Sequence, residues 1–200
     1  MSFGTYARKV ADPDLPWNRR LTALGSCVQL YRPIGYQATF AYLRQVAGPI
    51  RRDEAALLQA LDALSRSRSL WLADVAAYAA RRRVAKRSGQ RAPHPAEPNP
   101  SWPAKWYGDV RGGALVAVER WRHRAGCQAD EHGRQVLAIA GAFVIADGHL
   151  SPAQVAALRE LRAPLQVRLR ASAWPNHQPR EFDLARQLLW IVSQLLITDG

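Results

Sequence analysis

Cysteine is nearly absent from this chain, with only Cys27 and Cys127 a hundred residues apart and neither in a CxxC pair. That excludes a disulfide framework and a cysteine-based zinc site, and leaves both thiols as small buried apolar groups. No apolar run reaches the length that crosses a bilayer, and the first residues carry no signal-peptide hydrophobic segment. The cytoplasm is therefore the expected compartment, and no stable membrane association is expected.

Catalytic signatures are missing as well. There is no Gly-Lys-Ser or Gly-Lys-Thr, so Gly112-Gly113 does not begin a phosphate loop. There is no GxSxG elbow. His94, His123, His132, His149 and His177 form neither HxH nor HExxH, so no metal and no cofactor is expected. Asp147-Gly148-His149 superficially suggests part of a calcium loop, but Val144, Ile145 and Ala146 stand where its earlier oxygen ligands would be. A tight turn between helices is the better reading. Cys127 beside His123 or His132 is a conceivable nucleophile pair, but a lone buried cysteine accounts for it better.

Acidic residues are scarce too: sixteen Asp and Glu face twenty-eight Lys and Arg, a formal net charge of +12. A surplus of that size favours polyanionic partners, above all phosphate backbones. A genome rich in G and C offers a second source of arginine and alanine, but it accounts for abundance better than for clustering. Apolar residues make up 48% of the 200, enough for one sizeable core or two lobes and too many for a disordered chain.

The apolar residues recur at helical spacing along most of the chain. Residues 1–14 read as a polar lead-in broken by Asp12-Pro13-Asp14. Helices are expected over 17–31, 36–47, 53–64, 70–87, 114–124, 130–145, from Ser151 onward, and 181–197. Ser65 to Ser69 read as a polar connection. Gly48-Pro49 closes one helix. Ser151-Pro152 with Gln154 combines a cap, a first-turn proline and an amide that reaches back. Pro164 suggests a kink or an early end. Pro93, Pro95, Pro98, Pro100 and Pro103 make residues 88–106 a linker without regular structure. The expected fold is all-α: a compact helical bundle, or two helical lobes, 1–87 and 107–200, joined by that linker.

Within this frame the strongest functional feature is Arg81-Arg82-Arg83 with Lys86, Arg87 and Arg91, where a helix runs into the proline-rich segment. Guanidinium forks suit phosphate oxygens and reach a backbone without reading bases. Arg120 and Arg124 share a second helical face, next to Arg122 and His123. Arg159 and Arg162 share a third, interrupted by Gln166. Trp102, Trp106 and Tyr107 could stack on bases, contact a partner, or anchor the linker on the body. No helix-turn-helix pair, zinc finger or RNA-recognition aromatic signature is present.

These features point to non-catalytic, largely sequence-independent binding of an RNA or DNA backbone within a nucleoprotein assembly that includes other protein subunits. The alternatives are a protein–protein adaptor whose basic surface is incidental, and a small metal-independent nuclease built on His, Arg and Glu. The size, the helices, the basic stretches at 81–87 and 120–124 and the apolar helices at 136–145 and 184–196 resemble the small helical subunit of bacterial CRISPR ribonucleoprotein effectors. That resemblance implies a non-catalytic subunit that stacks along the complex and braces guide RNA and the target or displaced strand.

Overall fold

A computed structural model describes residues 1–94, 99–125, 130–173 and 179–199, without the side chains of 124 and 125. The regular elements among the described residues are all helices, with no strand, which is the fold class expected from the sequence. The chain forms two compact units, Met1–Asp109 and Val110–Gly200.

The first unit begins with α1 (Phe3–Ala11), where a polar lead-in was expected. The Ser2 side chain accepts from the Thr5 N–H and caps the helix. Phe3 and Val10, two turns apart on one face, are its buried residues. α2 (Trp17–Leu30) buries Leu24, Cys27 and Val28. α3 (Tyr36–Ala47) runs between Gly35 and Gly48, with φ of 84° and 85°, values that glycine adopts without strain. Leu43 and Ala47 of α3 are buried, while Val46 faces out.

Arg20 of α2 joins three elements from inside. It is 4% exposed. Its Nε donates to the Val10 carbonyl at the end of α1 (2.8 Å), and its Nη1 pairs with Glu54 at the start of α4 (2.6 Å).

α4 (Glu54–Arg87) is one unbroken helix of 34 residues, which corrects the expected connection at 65–69. Its 34 residues include neither glycine nor proline, and serine only weakly disfavours a helix. Arg66 pairs with Asp62 one turn earlier (2.5 Å). Ser67, which looks like a linker residue, is buried and bonded to Tyr31 and Tyr107. The first half of α4 packs into the body through Ala56, Leu57, Ala60 and Leu64.

The second unit holds α5 (Val110–Ala125), α6 (Glu131–Ile145), α7 (Pro152–Ala171) and α8 (Pro179–Ile197). α5 starts before Gly112-Gly113 rather than after it. α6 is capped by Asp130, whose side chain accepts from the Gly133 N–H. α7 carries the full capping box of Ser151 and Gln154, with proline in its first turn. It also continues through Pro164 to Ala171, so the early end does not occur. α8 begins at Pro179, where a missing N–H costs no helical bond. Val136 and Phe143 of α6, Leu158 and Leu165 of α7, and Leu188, Ile191 and Leu195 of α8 fill the core. The strongly apolar α8 is thus consumed largely by its own unit.

Asp147 and Gly148 make the tight turn between α6 and α7, both at positive φ (50° and 81°). Arg111 of α5 clamps it. Its Nε donates to the Asp147 carbonyl (2.6 Å), and its Nη2 lies 2.9 Å from His149 Nδ1.

Candidate nucleic-acid interface

Beyond Trp71, whose ring stacks on that of Tyr31 (centroids 5.6 Å apart), α4 leaves the three-helix body. The described residues on either side of 95–98 bond back along one side of α4. Arg82, 8% exposed, donates from Nη2 to the carbonyls of Gln90 (3.1 Å) and Arg91 (3.0 Å). Trp71 Nε1 donates to the Pro100 carbonyl (2.7 Å), and the Tyr107 N–H donates to Ser67 Oγ (3.1 Å). These bonds order the returning chain opposite its direction in the helix, from Arg82 back to Ser67. Their side chains lie at helical spacing on one face of α4. Pro95 and Pro98 lie outside the described residues.

The return segment ends on an aromatic anchor. Trp106 is buried with its ring centroid 4.3 Å from that of Tyr42. Tyr42 Oη donates to Asp109 Oδ2 (2.6 Å). Burial raises the Tyr42 hydroxyl above the ordinary phenol range, and the Asp109 carboxylate beside it raises it further. Tyr107 is half-buried, with Lys105 over its ring (5.2 Å). Trp102 is 84% exposed. Of the aromatic trio read from the sequence, Trp106 serves the packing and Trp102 stands in solvent.

The same geometry sorts the first basic cluster. Arg82 turns inward and holds the return segment, whereas Arg81, Arg83, Lys86, Arg87 and Arg91 are exposed. Arg81 lies 6.0 Å from the Tyr78 ring. No ion pair among the described residues involves any of these exposed cations. The sequence has no Asp or Glu from Val75 to Ala96, so no carboxylate stands nearby along the chain. Arg83 and Arg87 are one turn apart on the side of α4 away from Ser67 and Arg82, whereas Lys86 lies one turn beyond Arg82 on that residue's own face.

Elsewhere many arginines are paired. Arg111 meets Asp147, Arg134 meets Glu131, and Arg186 meets Asp183. Arg168 joins Asp130 and Glu181, linking the starts of α6 and α8 to the end of α7. Burial alone would raise the Asp130 carboxyl, but donation from the Gly133 N–H and the Arg168 charge outweigh it and hold the group below its usual range. Arg159 pairs with Asp199 (3.2 Å), so that member of the third basic group is already engaged. Arg162 and Arg120 are exposed. Arg120 sits on α5 and Arg159 and Arg162 on α7, helices whose backbones do not run side by side. The Arg124 side chain lies outside the described residues.

Sequence reasoning missed Arg20 and Ser67, which build the body that α4 projects from. Their signal was weak, because an Arg beside Arg19 and a Ser in a polar run ordinarily face water. No cluster of three His, Cys, Asp or Glu side chains able to hold a metal occurs among the described residues. Burial pushes the Cys27 thiol up to about 11, which makes it an unreactive packing group. Cys127 lies outside the described residues. No described helix is long and apolar enough to cross a membrane. No protein family, curated protein or solved structure matches the chain.

Proposed function

We propose that the chain binds nucleic-acid backbones through the far end of α4, as a non-catalytic subunit of a nucleoprotein assembly. The observation that carries this reading is the set Arg81, Arg83, Lys86, Arg87 and Arg91, clustered, exposed and in no ion pair among the described residues, while several arginines elsewhere are paired. Unpaired guanidinium groups on a rigid helix meet phosphate oxygens without first breaking an ion pair. The negative end of the helix dipole favours the same cations and holds them in place. Nothing in the arrangement reads bases, so binding is insensitive to sequence and sensitive to salt. Trp102 on the return segment, toward the Trp71 end of α4, supplies one exposed ring for stacking. The likeness to small helical CRISPR subunits makes a guide-RNA complex the first assembly to test.

The test is fluorescence anisotropy of labelled single-stranded RNA and duplex DNA of unrelated sequences across a salt series. Comparable affinities that fall steeply with salt, and that weaken in Arg83→Gln/Arg87→Gln, support the reading. Binding that ignores salt or those substitutions overturns it.

A second reading, a protein–protein adaptor, has its own observation. Beyond Ser67, α4 leaves Leu70 (49% exposed), Leu72 (39%) and Val84 (65%) partly in solvent at separate points around its circumference, among exposed alanines. A solvated helix face ordinarily carries charge there. Absence of nucleic-acid binding, with a partner lost on Leu72→Lys, would favour this reading.

A further inference from the structure

α2 and α3 diverge to leave a groove of about 680 Å³ in the first unit, away from the basic end of α4. That volume lies within the range of small-molecule sites, roughly 300–1,000 Å³. The floor is apolar. Leu24 and Ile50 are buried beneath it, and Tyr36 and Phe40 line it edge to face with centroids 5.2 Å apart. Gly25 keeps one wall open: a Cβ there would meet only the Tyr36 hydroxyl, at 3.8 Å.

The rim is cationic. Arg44 and Arg51 both line the groove and are exposed, and neither takes part in an ion pair among the described residues. The backbone of Arg51 is fixed, since its carbonyl accepts from Trp17 Nε1 (3.0 Å). No Asp or Glu lines the groove. Across from the arginines, Thr22 and Ser26 donate their hydroxyl protons to carbonyls of α2 itself (2.8 and 3.2 Å). The α2 hydroxyls therefore offer lone pairs, and charged donors come from the arginine side alone. An apolar trough with cations at one edge matches a molecule with an apolar body and a single anionic head.

We propose that this groove binds an amphipathic organic monoanion, with an acyl-sized apolar body on Leu24, Tyr36, Phe40 and Ile50 and its carboxylate between Arg44 and Arg51. The site is independent of the nucleic-acid reading, and Arg83 and Arg87 play no part in it.

Isothermal titration of the full chain with decanoate, and with decan-1-ol as its uncharged counterpart, tests the proposal. The expected result is saturable 1:1 binding of decanoate, with decan-1-ol weaker by about tenfold or more. Arg44→Gln/Arg51→Gln weakens decanoate by about the same factor and leaves decan-1-ol unchanged. Gly25→Leu, which fills the trough, removes both, with circular dichroism confirming that the helices remain. Arg83→Gln/Arg87→Gln changes neither. Failure of decanoate to saturate, equal affinity for the acid and the alcohol, or undiminished decanoate binding by the folded Arg44→Gln/Arg51→Gln protein overturns the proposal.

Discussion

The hydroxyls of Tyr31 and Ser67 lie 2.9 Å apart inside the first unit, although 36 residues separate them in sequence. Ser67 Oγ also accepts from the Tyr107 N–H at 3.1 Å. One small side chain thus ties the end of α2, the middle of α4 and the return segment. Ser67→Ala leaves the Tyr31 hydroxyl and the Tyr107 N–H without this partner, at a cost of about 1–3 kcal/mol. Urea unfolding measures the loss, and amide exchange at Tyr107 speeds up while exchange in the second unit does not.

Arg82 and Arg83 are neighbours with opposite roles, and their substitutions separate. Arg83→Gln leaves stability unchanged and lowers the slope of log K against log salt by about 0.7 for a single strand. Arg82→Gln removes the donor to the Gln90 and Arg91 carbonyls. The expected outcome is faster proteolysis within residues 88–94, with a smaller change in the salt slope than Arg83→Gln produces.

Gly148→Ala destabilises the second unit on two counts. Its φ of +81° is strained for any residue with a Cβ, and that Cβ would stand 2.8 Å from Arg111 Cγ. The cost is about 1–3 kcal/mol from backbone strain, plus whatever the displaced Arg111 clamp loses. Thermal melting of the variant reads the sum. Arg111→Ala/Gly148→Ala recovers the part due to the clash and not the part due to φ.

The two units respond to opposite extremes of pH. The Asp130 carboxyl is held below its usual range in the fold by the Gly133 N–H and Arg168. Its contribution is therefore full above the ordinary carboxylate range and is lost as pH falls through its depressed value. Burial raises Tyr31, Tyr42 and Tyr107, and all six tyrosines fall within Met1–Asp109. Unfolded tyrosines ionise near pH ~10, so the first unit loses stability as pH rises past that point. Hydrogen exchange resolved by peptide should show the second unit loosening in acid and the first in alkali. Asp130→Asn should flatten the acid limb alone.

Much of the helical layout was legible because its signals are local. The span of α3 follows from its apolar spacing and the Gly48-Pro49 stop, and the start of α7 from Ser151, Pro152 and Gln154. α1 was illegible because burial of Phe3 and Val10 depends on α2 and α4 being in place. The break expected at 65–69 failed for a related reason: Ser67 is polar in sequence, yet its partners Tyr31 and Tyr107 come from far along the chain. The basic end of α4 could be read as charge, but the inward turn of Arg82 could not, since its acceptors are backbone carbonyls of a segment without regular structure. Trp102 and Trp106 look alike in sequence; only contact with Tyr42 separates the buried ring from the exposed one.

The outer half of α4 has few large side chains turned into a core, so its persistence must come from elsewhere. Ala73, Ala76, Ala77, Ala79, Ala80 and Ala85 supply it, because alanine loses no side-chain freedom on entering a helix and has the highest intrinsic preference for one. Stiffness here is a property of the segment's own composition, as in a cantilever whose strength lies in its material and not in props. Replacing the outward alanines with glycine would let the tip sag while the body stayed folded, and the cations at 83, 86 and 87 would lose their fixed spacing without losing their charge.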